Sequence, residues 1–97
     1  MSTKTVEKTK TTTTEPPRYK VLIINDDYTP VDFVIYALKR YFGLQDSAAE
    51  KVTQEAHNTG LSVAGIYPFE IAETKANQAM KDASNKGFPF SCMLEAD

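Results

Sequence analysis

Four consecutive branched aliphatic residues, from Val21 to Ile24, limit what this chain can fold into more than any other feature of its sequence. A short run that is rich in β-branched side chains is typical of a buried strand. The run ends at the polar segment 25–28, whose residue types favour a turn. The sequence therefore predicts a buried strand at residues 19–25, followed by a turn.

The residues after this turn carry the signals of a helix start. Thr29 can cap the helix, Pro30 suits its first position, and Asp32 can complete a capping box with Thr29. Apolar residues then recur at helical spacing as far as Gly43, which can end the helix.

Two more helices are predicted downstream. The second begins near Asp46 and Ser47, has Glu50 placed for another capping box, and ends at Gly60. Pro68 opens the third. One face of the third helix carries mostly small side chains, which would let it lie close to the sheet; these are Phe69, Ala72, Ala76, Ala79 and Ala83.

Two further strands complete the pattern. Residues 61–67 form a short candidate, and the last segment alternates, with Phe90, Cys92 and Leu94 on one face. The element order is β-α-α-β-α-β. We expect an α/β chain of the α+β type, a two-layer sandwich in which three helices cover a three-stranded, mainly antiparallel sheet.

Residues 1–15 differ in composition from the rest of the chain. They are mostly Ser, Thr, Lys and Glu, and Val6 is the only apolar residue after Met1. Such a segment cannot bury enough surface to offset the entropy cost of ordering it. We therefore expect a disordered N-terminal extension at residues 1–15 and one folded core domain at residues 16–97.

Charge and composition argue against several classes of protein. Residues 16–97 carry eight basic and eleven acidic side chains, a net charge of −3, which argues against nucleic-acid binding. No apolar window is long enough for a membrane span or a secretory signal. The single cysteine, Cys92, excludes an internal disulfide. We expect a cytoplasmic protein that binds neither nucleic acid nor membrane.

Two polar features could carry chemistry. Asn25, Asp26 and Asp27 offer more acceptors than a turn needs, and these suit a cation: an ammonium group, a metal ion or an arginine of a partner. His57, the only histidine, could join Asp26 and Asp27 in the metal site of a small hydrolase. Cys92 belongs to an apolar strand face, and serine-hydrolase and phosphate-loop motifs are absent from the sequence. Apart from that metal alternative, the residues indicate a non-catalytic protein without a cofactor.

Several motifs occur together along residues 16–97. They are PPRYKV at 16–21, INDDYTP at 24–30, GIY at 65–67 and AETK at 72–75, with His57 and Gly60 between the second and the third. In order and spacing, this set resembles the ClpS family of adaptors for the bacterial Clp protease. The resemblance implies an adaptor of the bacterial cytoplasm that binds substrates through a free first residue (Leu, Phe, Tyr or Trp) and delivers them to a Clp unfoldase. We expect the chain to be a monomer.

The resemblance implies that Asn25, Asp26 and His57 bind the α-amino group of the substrate. An α-ammonium presents three donors and needs convergent acceptors and a negative charge, which these residue types supply. His57 would have to be neutral, so acidification should weaken binding. An acetylated N-terminus lacks the charge and two donors and should be rejected.

The family's pocket for the first side chain has smaller walls here at three points. Val31 stands where Met is usual, Thr53 where an apolar residue is common, and Ala56 where Val is common. Phe90 replaces the usual Leu and fills part of the space. We expect Phe, Tyr and Trp to be accepted and Leu to be relatively disfavoured. The residues that the resemblance assigns to this pocket are Ile23, Asp27, Thr29, Val31, Val34, Thr53, Ala56 and Phe90.

The family's unfoldase-binding residues correspond to Glu70 and Lys75 on the third helix. The implied partner is the N-terminal domain of a ClpA-type or ClpC-type AAA+ unfoldase. The altered pocket leaves a second function open, in which the chain docks on the unfoldase as a regulator with altered or lost recognition of N-terminal residues. The metal-dependent hydrolase is the alternative from the enzyme class.

Overall fold

A computed structural model describes residues 16–97, so the disordered extension expected at residues 1–15 lies outside the described residues. Three strands and three helices follow in the expected order. They are β1 (Arg18–Ile24), α1 (Val31–Phe42), α2 (Asp46–Thr59), β2 (Leu61–Pro68), α3 (Phe69–Asn85) and β3 (Ser91–Ala96). The predicted α+β class and the order β-α-α-β-α-β are confirmed.

The aliphatic run forms the central strand of the sheet. β2 and β3 pair with β1 on either side, and both are antiparallel to it. Val21 and Ile23 are buried in the core that the helices form, and Leu22 points to the opposite face because side chains alternate along a strand. There Leu22 lies between its cross-strand partners Val63 and Met93 and is only 7% exposed. Neighbouring side chains therefore cover the aliphatic run of β1 on both faces of the sheet.

β2 contains a β-bulge opposite the middle of β1. Val21 pairs with Gly65 and Leu22 pairs with Val63, so Ala64 is an extra residue in β2. The bulge shifts the alternation of side chains by one residue, so that both Ala64 and Tyr67 pack towards the core. A Cβ atom on Gly65 would overlap the hydroxyl oxygen of Tyr67. The tyrosine ring thus covers this glycine, and a side chain at position 65 would displace it.

The predicted C-terminal ends of the first two helices are confirmed. Gly43 follows α1 with φ 68°, and Gly60 follows α2 with φ 95°. Glycine adopts this left-handed conformation without the steric cost that a Cβ atom imposes. Both helices therefore end where the sequence places a glycine.

The predicted N-caps are wrong. α1 begins after Pro30 and α2 begins after Gln45, and neither helix has a side-chain hydrogen bond at its N-cap. Thr29 stands one residue before the N-cap of α1, and its hydroxyl donates to the Asp26 carboxylate at 2.9 Å. Ser47 lies inside the first turn of α2, one residue beyond the start of the helix. Thr29 and Ser47 are therefore of residue types that favour N-caps, but neither stands at the N-cap position of its helix.

The small-residue face of α3 is buried, as the sequence predicted. Its alanines, Ala72, Ala76, Ala79 and Ala83, are at most 3% exposed. Phe69, which was expected on the same face, is 43% exposed and packs against the ring of Tyr19, with 5.2 Å between the ring centroids. α3 lies against all three strands, where side chains of one carbon let the helix approach the sheet.

The last strand carries the predicted alternation. Phe90 is buried just before β3, and Cys92 and Leu94 pack against the core from within it. Burial raises the pKa of the Cys92 thiol to about 12, so the thiol is protonated at neutral pH and is a core residue, as expected. Within residues 16–97, all helices fall short of the length and apolar character that crossing a bilayer requires.

Candidate functional site

The turn after β1 is organised around the carboxylate of Asp26. Its Oδ1 accepts the backbone N–H groups of Tyr28 at 2.8 Å and of Thr29 at 2.7 Å. Its Oδ2 accepts the Thr29 hydroxyl at 2.9 Å. These three bonds bend the chain from β1 towards α1 and hold the carboxylate in one orientation.

Asp26 keeps both its charge and one free acceptor position. Partial burial raises the pKa of its carboxyl, but the hydrogen bonds from the Thr29 and Tyr28 backbone and from the Thr29 hydroxyl outweigh that effect and leave the pKa below its ordinary value. A carboxylate offers about four acceptor positions, and the turn uses three. The remaining position, on Oδ2, is available to a cationic donor directly or through a water molecule.

His57 reaches the same region from the last turn of α2. Gly60 ends that helix, and its carbonyl oxygen accepts the backbone N–H of Asn25 at 3.0 Å. This bond ties the end of β1 to the end of α2. As a result Asn25 and His57, which are far apart in sequence, line the same cleft.

One cleft of about 210 Å³ contains every residue that the resemblance assigned to substrate binding. Twelve residues line it, and Ile24 is the one among them that sequence reasoning missed. The others are Ile23, Asn25, Asp26, Asp27, Thr29, Val31, Val34, Thr53, Ala56, His57 and Phe90. The geometry unites these side chains, and their individual roles remain predictions.

The cleft has a polar mouth and an apolar floor. Asn25, Asp27 and His57 are exposed, whereas Ile23, Ala56 and Phe90 are at most 4% exposed. Val31 lies at the rim and is 59% exposed. The arrangement can hold a cationic group at the mouth while an apolar group attached to it enters the floor.

Thr53 contributes an apolar wall in spite of its hydroxyl. The hydroxyl donates to the Ala49 carbonyl oxygen, one turn earlier in α2, at 2.8 Å. Its hydrogen is therefore not offered to a ligand in the cleft. Threonine thus resembles valine as a wall at this position.

The described part of the chain offers no set of ligands for the metal ion that the hydrolase alternative requires. Among residues 16–97, no group of three or more His, Cys, Asp and Glu side chains lies close enough to hold a metal ion. Three acceptor positions of the Asp26 carboxylate are occupied by hydrogen bonds within the turn, so only one is left to coordinate a metal ion. The geometry favours a hydrogen-bonding cation over a metal ion.

Glu70 and Lys75 lie outside the cleft, on α3. Glu70 is exposed in the first turn, between Phe69 and Ile71, which are 43% and 47% exposed. Lys75 is half-buried, and its Nζ donates to the Tyr41 carbonyl oxygen at 3.2 Å and lies 5.2 Å from the centroid of the Tyr67 ring. The two residues predicted to bind an unfoldase therefore differ in setting, because the ammonium group of Lys75 already has contacts within the chain.

Comparison with known proteins gives consistent matches. Residues 14–93 match the family model of the ATP-dependent Clp protease adaptor protein ClpS. The ATP-dependent Clp protease adapter protein ClpS of Ruegeria sp. (strain TM1040) is 46% identical over 90 residues, which cover 93% of this chain and 80% of that protein. ClpS 2 of Rhodopseudomonas palustris is 43% identical over 94 residues, which cover 97% of this chain and 86% of that protein.

A solved structure is similar in fold as well as in sequence. It is the structure of Agrobacterium tumefaciens ClpS2 bound to L-phenylalaninamide, which matches with a TM-score of 0.83 and 37% sequence identity. The match covers 86% of this chain and 100% of that chain.

Proposed function

This chain belongs to the ClpS family of ATP-dependent Clp protease adaptors, and we propose that its cleft binds the free N-terminal residue of substrate proteins when that residue is bulky and apolar. The adaptor then hands the substrate to a Clp unfoldase. Because the family is one of non-catalytic adaptors, the expectation that the chain is not an enzyme is confirmed, and the hydrolase alternative is set aside.

The main support for this proposal is that one cleft of about 210 Å³ has both a polar mouth and an apolar floor. The first residue of a polypeptide carries an ammonium group and a side chain on the same Cα atom. The ligand of the Agrobacterium tumefaciens protein, L-phenylalaninamide, has the same combination. A bulky apolar N-terminal residue therefore has the chemistry that this cleft accommodates.

The polar mouth supplies the contacts that an α-ammonium needs. Asp26 is ionised and has one acceptor position left, Asn25 offers a carbonyl oxygen, and the imidazole of His57 offers a ring nitrogen. The amide of Asn25 also has donors for the first peptide carbonyl. An ammonium group in this position satisfies its three donors with one negative charge nearby.

The first test is a binding titration with peptides that differ only at residue one: Phe, Leu, Val and N-acetyl-Phe. We expect the Phe peptide to bind and acetylation to weaken it by about 100-fold or more, because the acceptors at the mouth lose a charge and two donors. Leu should bind several-fold more weakly than Phe, since Val31, Thr53 and Ala56 leave space that Leu does not fill. Fluorescence anisotropy measures all four affinities.

Two results of this titration would contradict the proposal in different ways. A Leu peptide that binds as tightly as the Phe peptide would refute the preference for aromatic residues and leave the adaptor function standing. No binding by any of the four would favour the alternative of an unfoldase-docking regulator that has lost N-terminal recognition.

We further propose that Glu70 lies in the surface that docks on the N-terminal domain of a ClpA-type or ClpC-type unfoldase. Exposed Phe69 and Ile71 flank it and add apolar area, and Lys75 has donors left beyond its bond to Tyr41. We expect E70K to weaken binding to that domain by about tenfold, because a reversed charge at an interface is repelled. Binding of the Phe peptide should be unchanged.

The matched control for E70K is E55K, which makes the same charge change on the exposed Glu55 of α2. Isothermal titration of the unfoldase domain with each variant compares them. Equal weakening by both variants would show that only net charge matters, and it would remove Glu70 from the docking surface.

A further inference from the structure

A basic groove of about 480 Å³ lies between α1 and the C-terminal half of α3. Three cationic side chains line it: Arg40 from α1, and Lys81 and Lys86 from the end of α3. They are three of the eight basic residues in the folded domain, whereas only one of its eleven acidic residues, Asp82, lines the groove. Positive charge is therefore concentrated on one face of a domain whose net charge is −3.

Asp82 compensates only part of this charge. Its Oδ2 accepts the Tyr41 hydroxyl at 2.8 Å, and its Oδ1 accepts from the ammonium group of Lys86. Arg40 and Lys81 are exposed and form no salt bridge within the described part of the chain. The guanidinium carbon of Arg40 lies 5.4 Å from the centroid of the Tyr41 ring, a contact that leaves its N–H donors available. Two cations therefore remain for the anionic groups of a partner.

An aromatic groove of about 400 Å³ adjoins the basic groove. Tyr36, which is 45% exposed, and Lys86 line both grooves. Phe33 and Phe88 form the apolar floor, and their rings pack edge to face with 5.3 Å between the centroids. The Lys86 ammonium nitrogen lies 5.7 and 5.8 Å from the ring centroids of Phe33 and Tyr36, which holds it between the two grooves. The face thus joins free positive charge to an open apolar surface.

Both grooves are separate from the sites already described. Neither shares a lining residue with the cleft, because α1 presents Val31 and Val34 to the cleft and Tyr36 to the grooves. Glu70 lies near the opposite end of α3, about 16 Å along the helix axis from Lys81. A segment bound in the grooves would therefore leave the cleft and the surface around Glu70 accessible.

The two grooves together match an acidic segment that carries an apolar side chain. A small anion would use the cations and leave the aromatic groove exposed to water. Nucleic acid needs more phosphate contacts than two free cations supply, and the negative net charge of the domain opposes it. Arginine, tyrosine and phenylalanine are enriched in protein–protein interfaces. We propose that this face docks an extended acidic segment of a partner protein, whose carboxylates pair with Arg40 and Lys81 while its apolar side chain enters the aromatic groove.

The geometry of α1 sets the spacing within such a segment. Phe33 and Arg40 are seven residues apart, so they are separated by about 10 Å along the helix axis. An extended chain covers about 3.3–3.6 Å per residue. The apolar residue and the first carboxylate of the segment therefore belong three positions apart.

The test uses three N-acetylated peptides, because acetylation excludes them from the cleft as it is proposed to work. They are Ser-Phe-Ser-Ser-Glu-Asp-Glu, its neutral counterpart ending Gln-Asn-Gln, and an acidic counterpart with Ser in place of Phe. We expect the first to bind about 3- to 20-fold more tightly than the neutral peptide at low salt, because exposed charge pairs contribute modestly and add. This ratio should fall as salt is added. Loss of the Phe side chain should weaken binding about fivefold or more.

Variants of the chain assign this preference to the grooves. K81E should abolish or invert the preference for the acidic peptide, and Y36A should weaken the binding of both peptides that contain Phe. K51E is the matched control for K81E, because it makes the same charge change on an exposed residue of α2 that lines neither groove. It should leave the preference within about twofold of the original. Fluorescence anisotropy measures all of these affinities.

Three results would overturn the docking site. The first is no binding of the acidic Phe peptide, or binding no tighter than that of the neutral one. The second is an equal loss of preference in K51E and K81E, because the preference would then follow net charge. The third is displacement of the acetylated peptide by an excess of a peptide with a free N-terminal Phe, because the two would then share the cleft.

Discussion

Replacing Asp26 with asparagine should weaken the binding of a Phe-first peptide by roughly 10- to 150-fold while the domain remains folded. A hydrogen bond to a charged group contributes about 1.5–3 kcal/mol, which corresponds to that range of affinity. The asparagine oxygen can still accept the backbone N–H groups of Tyr28 and Thr29, so the turn persists. The substitution removes the negative charge and the Oδ2 acceptor at the mouth of the cleft, and the Thr29 hydroxyl can accept from the new amide nitrogen where it donated to the carboxylate.

The control for D26N is D32N, which removes the same charge from an exposed residue in the first turn of α1 that does not line the cleft. Anisotropy titration of the two variants, with circular dichroism to check folding, compares them. If D26N binds the Phe peptide as tightly as D32N does, the α-ammonium does not depend on the Asp26 charge and the proposed contact is wrong.

The depressed pKa of Asp26 also determines how pH effects should be interpreted. A carboxyl whose pKa is lowered in the folded state contributes stability above its unfolded pKa, near 3.9, and loses that contribution as the pH falls through the folded value. Asp26 therefore stays ionised between pH 8 and about pH 5. Acidification within this range therefore leaves the Asp26 charge at the mouth of the cleft unchanged.

Local sequence signals predicted most of the fold. Three of these signals each depend on only a few neighbouring residues: the aliphatic run, the helical spacing of apolar residues, and the glycines after two helices. The strand, the helices and the helix ends that they predicted are all confirmed. The predicted N-caps were wrong because α1 begins after Pro30 and α2 begins after Gln45, so Thr29 lies before its helix and Ser47 lies inside its helix. Helix boundaries of this precision depend on how the preceding turn folds. The bulge at Ala64 was not predicted either: Gly65 beside it is the kind of residue that accompanies a bulge, but the position of the bulge depends on how β2 pairs with β1.

The sequence indicated which residues form the candidate site, but not the contacts that hold them together. The motif INDDYTP and the single histidine pointed to one site because the resemblance linked them, and the structure brings Asn25 and His57 to one cleft. Sequence could not give the backbone hydrogen bond between Asn25 and Gly60 that brings the two ends together. It could not indicate that Lys75 already contacts Tyr41 and Tyr67, because those contacts join residues far apart along the chain.

Filling the cleft from within should abolish most binding of aromatic N-terminal residues. T53F adds a ring to the wall of a cavity of about 210 Å³, and the ring competes for the space that the first residue would occupy. Burying a large apolar side chain contributes roughly 1.5–3 kcal/mol, so we expect the Phe peptide to lose about 10- to 150-fold in affinity. The unfoldase-binding surface that we propose lies on α3, so binding to the unfoldase domain should not change.

T53V is the matched control for this experiment, because it removes the hydroxyl and keeps the shape of the side chain. The hydroxyl already donates to Ala49 within α2, so its removal should leave the affinity for the Phe peptide within about twofold of the original. Strong binding by T53F would mean that the first side chain does not enter the cleft. Weak binding by T53V would mean that the Thr53 hydroxyl contacts the substrate, against the apolar wall that its bond to Ala49 implies. Together, T53F and T53V separate the effect of pocket shape on affinity from the effect of the Thr53 hydroxyl. The proposed preference for aromatic first residues depends on shape and not on that hydroxyl.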